Sequence, residues 1–132
     1  MIMVDTHIWE WWVEDSPRLS TTHARIINEN QRLGGGVSVL SCWEIAKLVQ
    51  IGRLPLPLPI DEWLKRALAY PGIWLLPLTP EIAVASTTLP GRFHRDPADQ
   101  IIVATAHELN IPLLTVDARI LAYPHVTTVG PA

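Results

Sequence analysis

The sequence predicts an α/β domain whose sheet is covered by helices on both faces. Two observations carry that expectation. Strand-like and helix-like segments alternate along the chain, the order that a sheet between helical layers requires. Of the 132 residues, 48% are hydrophobic and only 17% charged, a globular balance without the charge excess of a disordered chain. That length suits one domain, taken as 1–132, burying roughly two-thirds of its unfolded surface.

The opening MIMVD reads as a short strand ending in Asp5. In THIWEWWVED, Ile8, Trp9, Trp12 and Val13 recur at helical spacing. Ser20 is placed to cap TTHARIINENQRL, which Gly34-Gly35-Gly36 would stop. VSVL (37–40) reads as a buried strand, and Ser41 as the cap of CWEIAKLVQI. Prolines 55, 57 and 59 alternate with leucines in RLPLPLPIDEW, which forbids a helix and leaves an extended connector.

A helix from Asp61 to Tyr70 is closed by Pro71-Gly72, and IWLLPL (73–78) reads as a strand that Pro77 ends or confines to an edge. Thr79-Pro80-Glu81 has the cap, first-position proline and first-turn acid of a helix start. Asp96-Pro97 repeats that signal for a helix running to about Leu109, with Asn110 as its stop. PLLTVD (112–117), a short helical turn and HVTTV (125–129) complete the pattern with two further strands.

Asp5, Glu44, Asp99 and Asp117 each follow an apolar strand or stand in the first turn of a helix. The carboxyl ends of parallel strands share one sheet edge, where ligands bind, so acids spaced this way can converge. Taken singly, each also reads as a cap or a helix-dipole partner: Ser41 to Glu44 has the spacing of a capping box, and Asp99 suits the start of its helix. Caps, however, need no carboxylate four times over.

Converged carboxylates need a cation or a proton, since two of them ~4 Å apart repel by roughly 4 kcal/mol at an effective dielectric of 20. An all-oxygen ligand set favours Mg²⁺ or Mn²⁺ over zinc. The net charge of −3 argues against a broad basic nucleic-acid surface. Without the four acids, ten basic residues face nine acidic ones, and that objection weakens.

MVDTHIW (3–9), SCWEIAKL (41–48) with GRLPL (52–56), FHRDPADQIIVATA (93–106) and LLTVDARI (113–120) together resemble the PIN-domain family, in particular the VapC-type toxins of prokaryotic toxin–antitoxin pairs. The resemblance covers essentially the whole chain. It implies a three-layer α/β/α domain with a mainly parallel sheet and Mg²⁺- or Mn²⁺-dependent endoribonuclease activity. Asp5, Glu44, Asp99 and Asp117 fall on the family's acidic catalytic and metal-ligating set. Asp96 reads as an N-cap within reach of that site, while Thr6 and Thr115 would orient carboxylates or water. Arg92, Arg95 and His94 are candidate contacts to the RNA substrate. Ala98 stands where such chains often carry a bulky aromatic, and Gln100 where they often carry arginine. A homodimer, a higher toxin–antitoxin assembly and a VapB-type antitoxin whose tail covers the acidic groove are implied as partners.

Two other readings share the acid pattern: an idle PIN fold that only binds, and a metal-dependent phosphohydrolase of a small substrate. A phospho-receiver would want paired acids after the first strand and a lysine near the last, whereas Thr6-His7 follow Asp5 and the only lysines are Lys47 and Lys65. No glycine-rich phosphate loop marks a nucleoside triphosphatase. The single Cys42 suits a reducing cytoplasm and small-residue packing. No signal peptide or apolar run near the ~20 residues of a membrane span is apparent. Trp9, Trp12 and Trp43 are expected in the core, and Trp11, on another face, at a protein interface.

Overall fold

The computed structural model describes residues 1–129. Its centre is a four-stranded parallel sheet of order β3-β2-β1-β4, built from β1 (Ile2–Val4), β2 (Gly35–Ser38), β3 (Ile73–Leu76) and β4 (Leu113–Leu114). Seven helices connect and flank these strands: α1 (Thr6–Val13), α2 (Thr21–Asn30), α3 (Val39–Gln50), α4 (Ile60–Leu68), α5 (Pro80–Ser86), α6 (Pro97–Leu109) and α7 (Ala118–Leu121). None is long and apolar enough to cross a membrane.

Strand periodicity divides the core in two. Side chains alternate across a sheet, so Ile2 and Val4 join Ile8, Trp9, Ile27, Ile45 and Trp63 on one face. Met3 points the other way, into Ile102, Val103, Ala106 and Ile120. Leu114 and Leu113 divide between the faces in the same manner. This is the three-layer α/β/α arrangement expected from the sequence.

Several boundaries differ. Gly35 and Gly36 do not stop α2, which ends at Asn30, but form the first half of β2. A Cβ on Gly36 would stand 2.6 Å from Cδ1 of Leu76 on the neighbouring strand, so this strand is glycine-rich because β3 fills the space. The strand also ends at Ser38, earlier than VSVL suggests. Ser38, not Ser41, caps α3, accepting from the Leu40 N–H at 3.1 Å. HVTTV makes one isolated parallel bridge, Thr128 to Leu113, and no strand. Trp43 is 57% exposed, contrary to a core role, because it lies on the outward face of α3 opposite buried Ile45.

Other expectations hold. β3 is an edge strand ending before Pro77. In the connector, Leu54, Leu56 and Leu58 pack on the core while the intervening prolines are exposed. Asn110 adopts a left-handed conformation (φ 53°) as the last cap of α6.

Candidate active site

The strand order places a reversal beside β1: the chain builds outward through β2 and β3, then returns to add β4 on the opposite side. The crevice outside the strand carboxyl ends at such a switch point is where open α/β sheets bind ligands. Asp5 immediately follows β1, and Thr115 to Asp117 immediately follow β4. Glu44 is brought in by α3, and Asp99 by the first turn of α6. All four acids line one cavity of about 250 Å³, with Thr6, His7, Asp96 and Arg119.

Each acid is held by a named partner. Asp5 caps α1, its Oδ1 accepting from the Thr6 N–H at 2.8 Å, while its Oδ2 accepts from the Thr115 hydroxyl at 2.6 Å. The cap and the cavity acid are thus one residue. Thr115 also accepts from the Asp117 N–H at 3.0 Å, so one hydroxyl, fully buried, aligns two acids. Thr6 Oγ1 donates to Glu44 Oε1 at 2.6 Å. With its proton committed there, Thr6 accepts from Ser41, 2.8 Å away. The capping-box reading of Ser41 and Glu44 therefore fails: both lie inside α3 and turn towards α1.

Asp96 caps α6, accepting from the Asp99 N–H at 3.1 Å, and also lines the cavity. His94 Nε2 lies 2.6 Å from Asp99 Oδ2 and is the donor to that carboxylate. Gln100 donates to the His94 carbonyl at 3.1 Å and so steadies this contact. Ala98 is buried at the start of α6.

Arg92 and Arg95 are not brought to the acids; they line a separate exposed groove with Phe93 and Gln100. The cation that reaches the cavity is Arg119, absent from the sequence-based candidates. Its Nη2 is 3.3 Å from Asp117 Oδ2 and 3.7 Å from Asp99 Oδ2. Its position two residues beyond an acid that caps a helix was the available signal.

The acids crowd one another. Burial pushes Glu44 up to about 7, against the Thr6 hydrogen bond and with help from the charges of Asp5, Asp99 and Asp96. Asp5 is raised mainly by burial, the Thr115 and Thr6 hydrogen bonds opposing. Asp99 is raised by burial and by Asp96, Asp5 and Asp117, with His94 opposing. Burial also works against the charge of Asp117, but hydrogen bonds to Arg119 and its positive charge outweigh it and lower the pKa. Among the described residues, no three His, Cys, Asp or Glu side chains stand close enough to enclose one ion by themselves.

The sequence profile of the PIN domain matches residues 2–126. Ribonuclease VapC22 from Mycobacterium tuberculosis is 32% identical over 124 residues, 94% of this chain and 92% of that protein. Two solved structures share the fold. VapBC2 from Rickettsia felis, bound to a DNA fragment from their promoter, gives a TM-score of 0.69 at 14% identity over 98% of both chains. FitAcB from Neisseria gonorrhoeae gives 0.70 at 18% identity, over 98% of this chain and 97% of that one. The profile spans nearly every described residue: the chain belongs to the PIN domain family.

Proposed function

We propose that this protein is a Mg²⁺- or Mn²⁺-dependent endoribonuclease of VapC type, hydrolysing RNA phosphodiester bonds in the cytoplasm and restrained by a VapB-type antitoxin. The observation that carries the reading is the cavity itself: four carboxylates from four separate elements, on a chain 32% identical to a VapC ribonuclease. Structures of this fold include VapBC and other toxin–antitoxin complexes, which supports an antitoxin partner and a toxin assembled as a dimer or larger complex.

The donor chemistry fits a small divalent cation. Every acid offers hard oxygen, and three are raised in pKa, chiefly by burial and in smaller part by one another's charges. Mg²⁺ keeps several waters and is held by one or two carboxylates together with substrate phosphate, so a cavity without three converged ligands suits it. Asp5 and Asp99 are the acids to hold the ion, with Glu44 and Asp117 beside them. When bound, the cation activates water and offsets charge developing on the phosphate.

The chain's own groups do the rest. Glu44, poised near neutrality and aimed by Thr6, accepts a proton from the attacking water. Thr115 and Thr6 keep Asp5 in one rotamer, which removes reorganisation from the reaction step. Arg119, anchored by Asp117, presents a guanidinium to the phosphate oxygens. His94 positions Asp99.

The test is cleavage of a cellular RNA pool by antitoxin-free protein, with Mg²⁺ or Mn²⁺, with chelator, and with an identically prepared Asp5→Asn protein. Discrete products that need both metal and Asp5 are expected. Folded protein that leaves RNA intact with metal present would overturn the reading in favour of an idle binding fold or a small phosphorylated substrate.

A further inference from the structure

A second groove, of about 460 Å³, opens between α1, the α1–α2 loop and the connector after α3. Its volume lies in the range of roughly 300–1,000 Å³ that takes a small ligand such as a nucleotide. His7 lines both this groove and the acidic cavity, so the two adjoin at that side chain.

The groove has a built surface. His7 and Trp11, four residues apart on α1, share one helix face. Their rings stack with centroids 6.0 Å apart and planes at 29°, forming an aromatic ledge. Arg18 and Arg53 rise beside it, both exposed, and among the described residues neither is within 4 Å of a carboxylate. The turn that presents Arg53 is fixed by its N–H donating to the Leu48 carbonyl at 2.9 Å. Glu10, the carboxylate in the wall, is 9% exposed and shows little negative surface. Stacking faces interleaved with cations are what single-stranded nucleic acid binds. A peptide helix would want a continuous apolar stripe instead.

We infer that this groove is a nucleotide subsite for the RNA strand beside the scissile phosphate, a base lying on Trp11 and His7 and its phosphates held by Arg18 and Arg53. The inference rests on the ribonuclease reading and deepens it: the acidic cavity performs hydrolysis, and the neighbouring groove selects and aligns the strand. Cleavage would then depend on the base that occupies the ledge.

The probe is a fluorescein-labelled, single-stranded 2′-O-methyl oligonucleotide of mixed sequence, titrated with full-length protein in chelator and read by anisotropy. Arg18→Ala and Arg53→Ala are expected to weaken binding severalfold each and to flatten the salt dependence by about 0.7 per lost phosphate contact. Trp11→Ala is expected to lose roughly tenfold and Trp11→Phe to recover most of it. Trp11 packs partly on the core, so the two exposed arginine variants keep the test decisive if Trp11→Ala misfolds. Wild-type affinity and salt slope in both arginine variants would overturn the inference. So would variants that bind the oligonucleotide normally but no longer hold the antitoxin, which would make the groove a protein-docking surface. If wild-type protein cleaves cellular RNA and the groove variants cleave it identically, only the subsite falls. If wild-type protein neither binds nor cleaves, the ribonuclease reading falls with it.

Discussion

Two threonine hydroxyls order most of the acidic cavity. Thr115 is fully buried and serves Asp5 as donor and Asp117 as acceptor. Thr115→Val keeps the shape but strands both partners, and is expected to lose about 1–3 kcal/mol in urea unfolding, with Thr115→Ser close to wild type. Glu44 gives a pH-dependent counterpart. Its carboxyl is raised from 4.5 to about 7 on folding, so the folded state holds its proton more tightly than the unfolded chain. The associated stability is fully present below the unfolded pKa and is lost as pH rises from 4.5 through about 7. Solvent reaches this half-buried group and reduces the effect to about 1–2 kcal/mol. Metal-free Glu44→Gln protein should match wild type at about pH 4 and exceed it by that amount at about pH 8. Equal stability of the two proteins at both values would show that Glu44 carries no strained charge.

At the scale of elements, helix starts were the readable feature. Ser20, Thr79 and Asp96 cap the helices that the sequence assigns to them. Asp96→Ala should cost about 1 kcal/mol of stability, and Asp96→Ser much less, because Ser also accepts from the Asp99 N–H. A merely solvated Asp96 would leave both variants unchanged in thermal unfolding. The start of α3 was misread because both Ser38 and Ser41 satisfy the local cap pattern; the choice depends on where β2 ends, and that depends on pairing with β1 and β3. Gly72 shows the same dependence on a distant partner. It has φ +83°, and a Cβ there would stand 2.3 Å from the Gln31 carbonyl oxygen. Gly72→Ala should therefore destabilise by about 2 kcal/mol or more, read as a lowered unfolding midpoint.

For the whole molecule, the proposed cation at the acid cavity would couple binding to folding. Mn²⁺ or Mg²⁺ at a concentration a hundredfold above its Kd should add about 2.7 kcal/mol. For a domain of this length that raises Tm by up to roughly 10 °C at neutral pH. The gain should shrink at about pH 5, where Glu44, raised to about 7, holds its proton, and burial raises the carboxyls of Asp5 and Asp99 in the same direction. Asp5→Asn and Asp99→Asn should lose most of it. A Tm indifferent to either cation across that pH range would remove metal from the proposed mechanism.

The order of strands and helices up to α7 was legible in residue types and spacing, because buried periodicity and caps are local properties of the chain, and the family was legible through the resemblance of four motifs. Which acids meet was suggested by their common place after strands, yet their actual partners are distant in sequence: Thr115 lies 110 residues from Asp5, and Glu44 lies 38 from Thr6. The tertiary structure alone placed Arg119 beside the acids and Arg92 and Arg95 in a separate groove, and turned Trp43 outward. It also joined His7 and Trp11 on α1 to Arg53 after α3 in one groove. Charge and aromaticity are written in the sequence; which solvent-facing groove they line is decided by sheet order and helix packing.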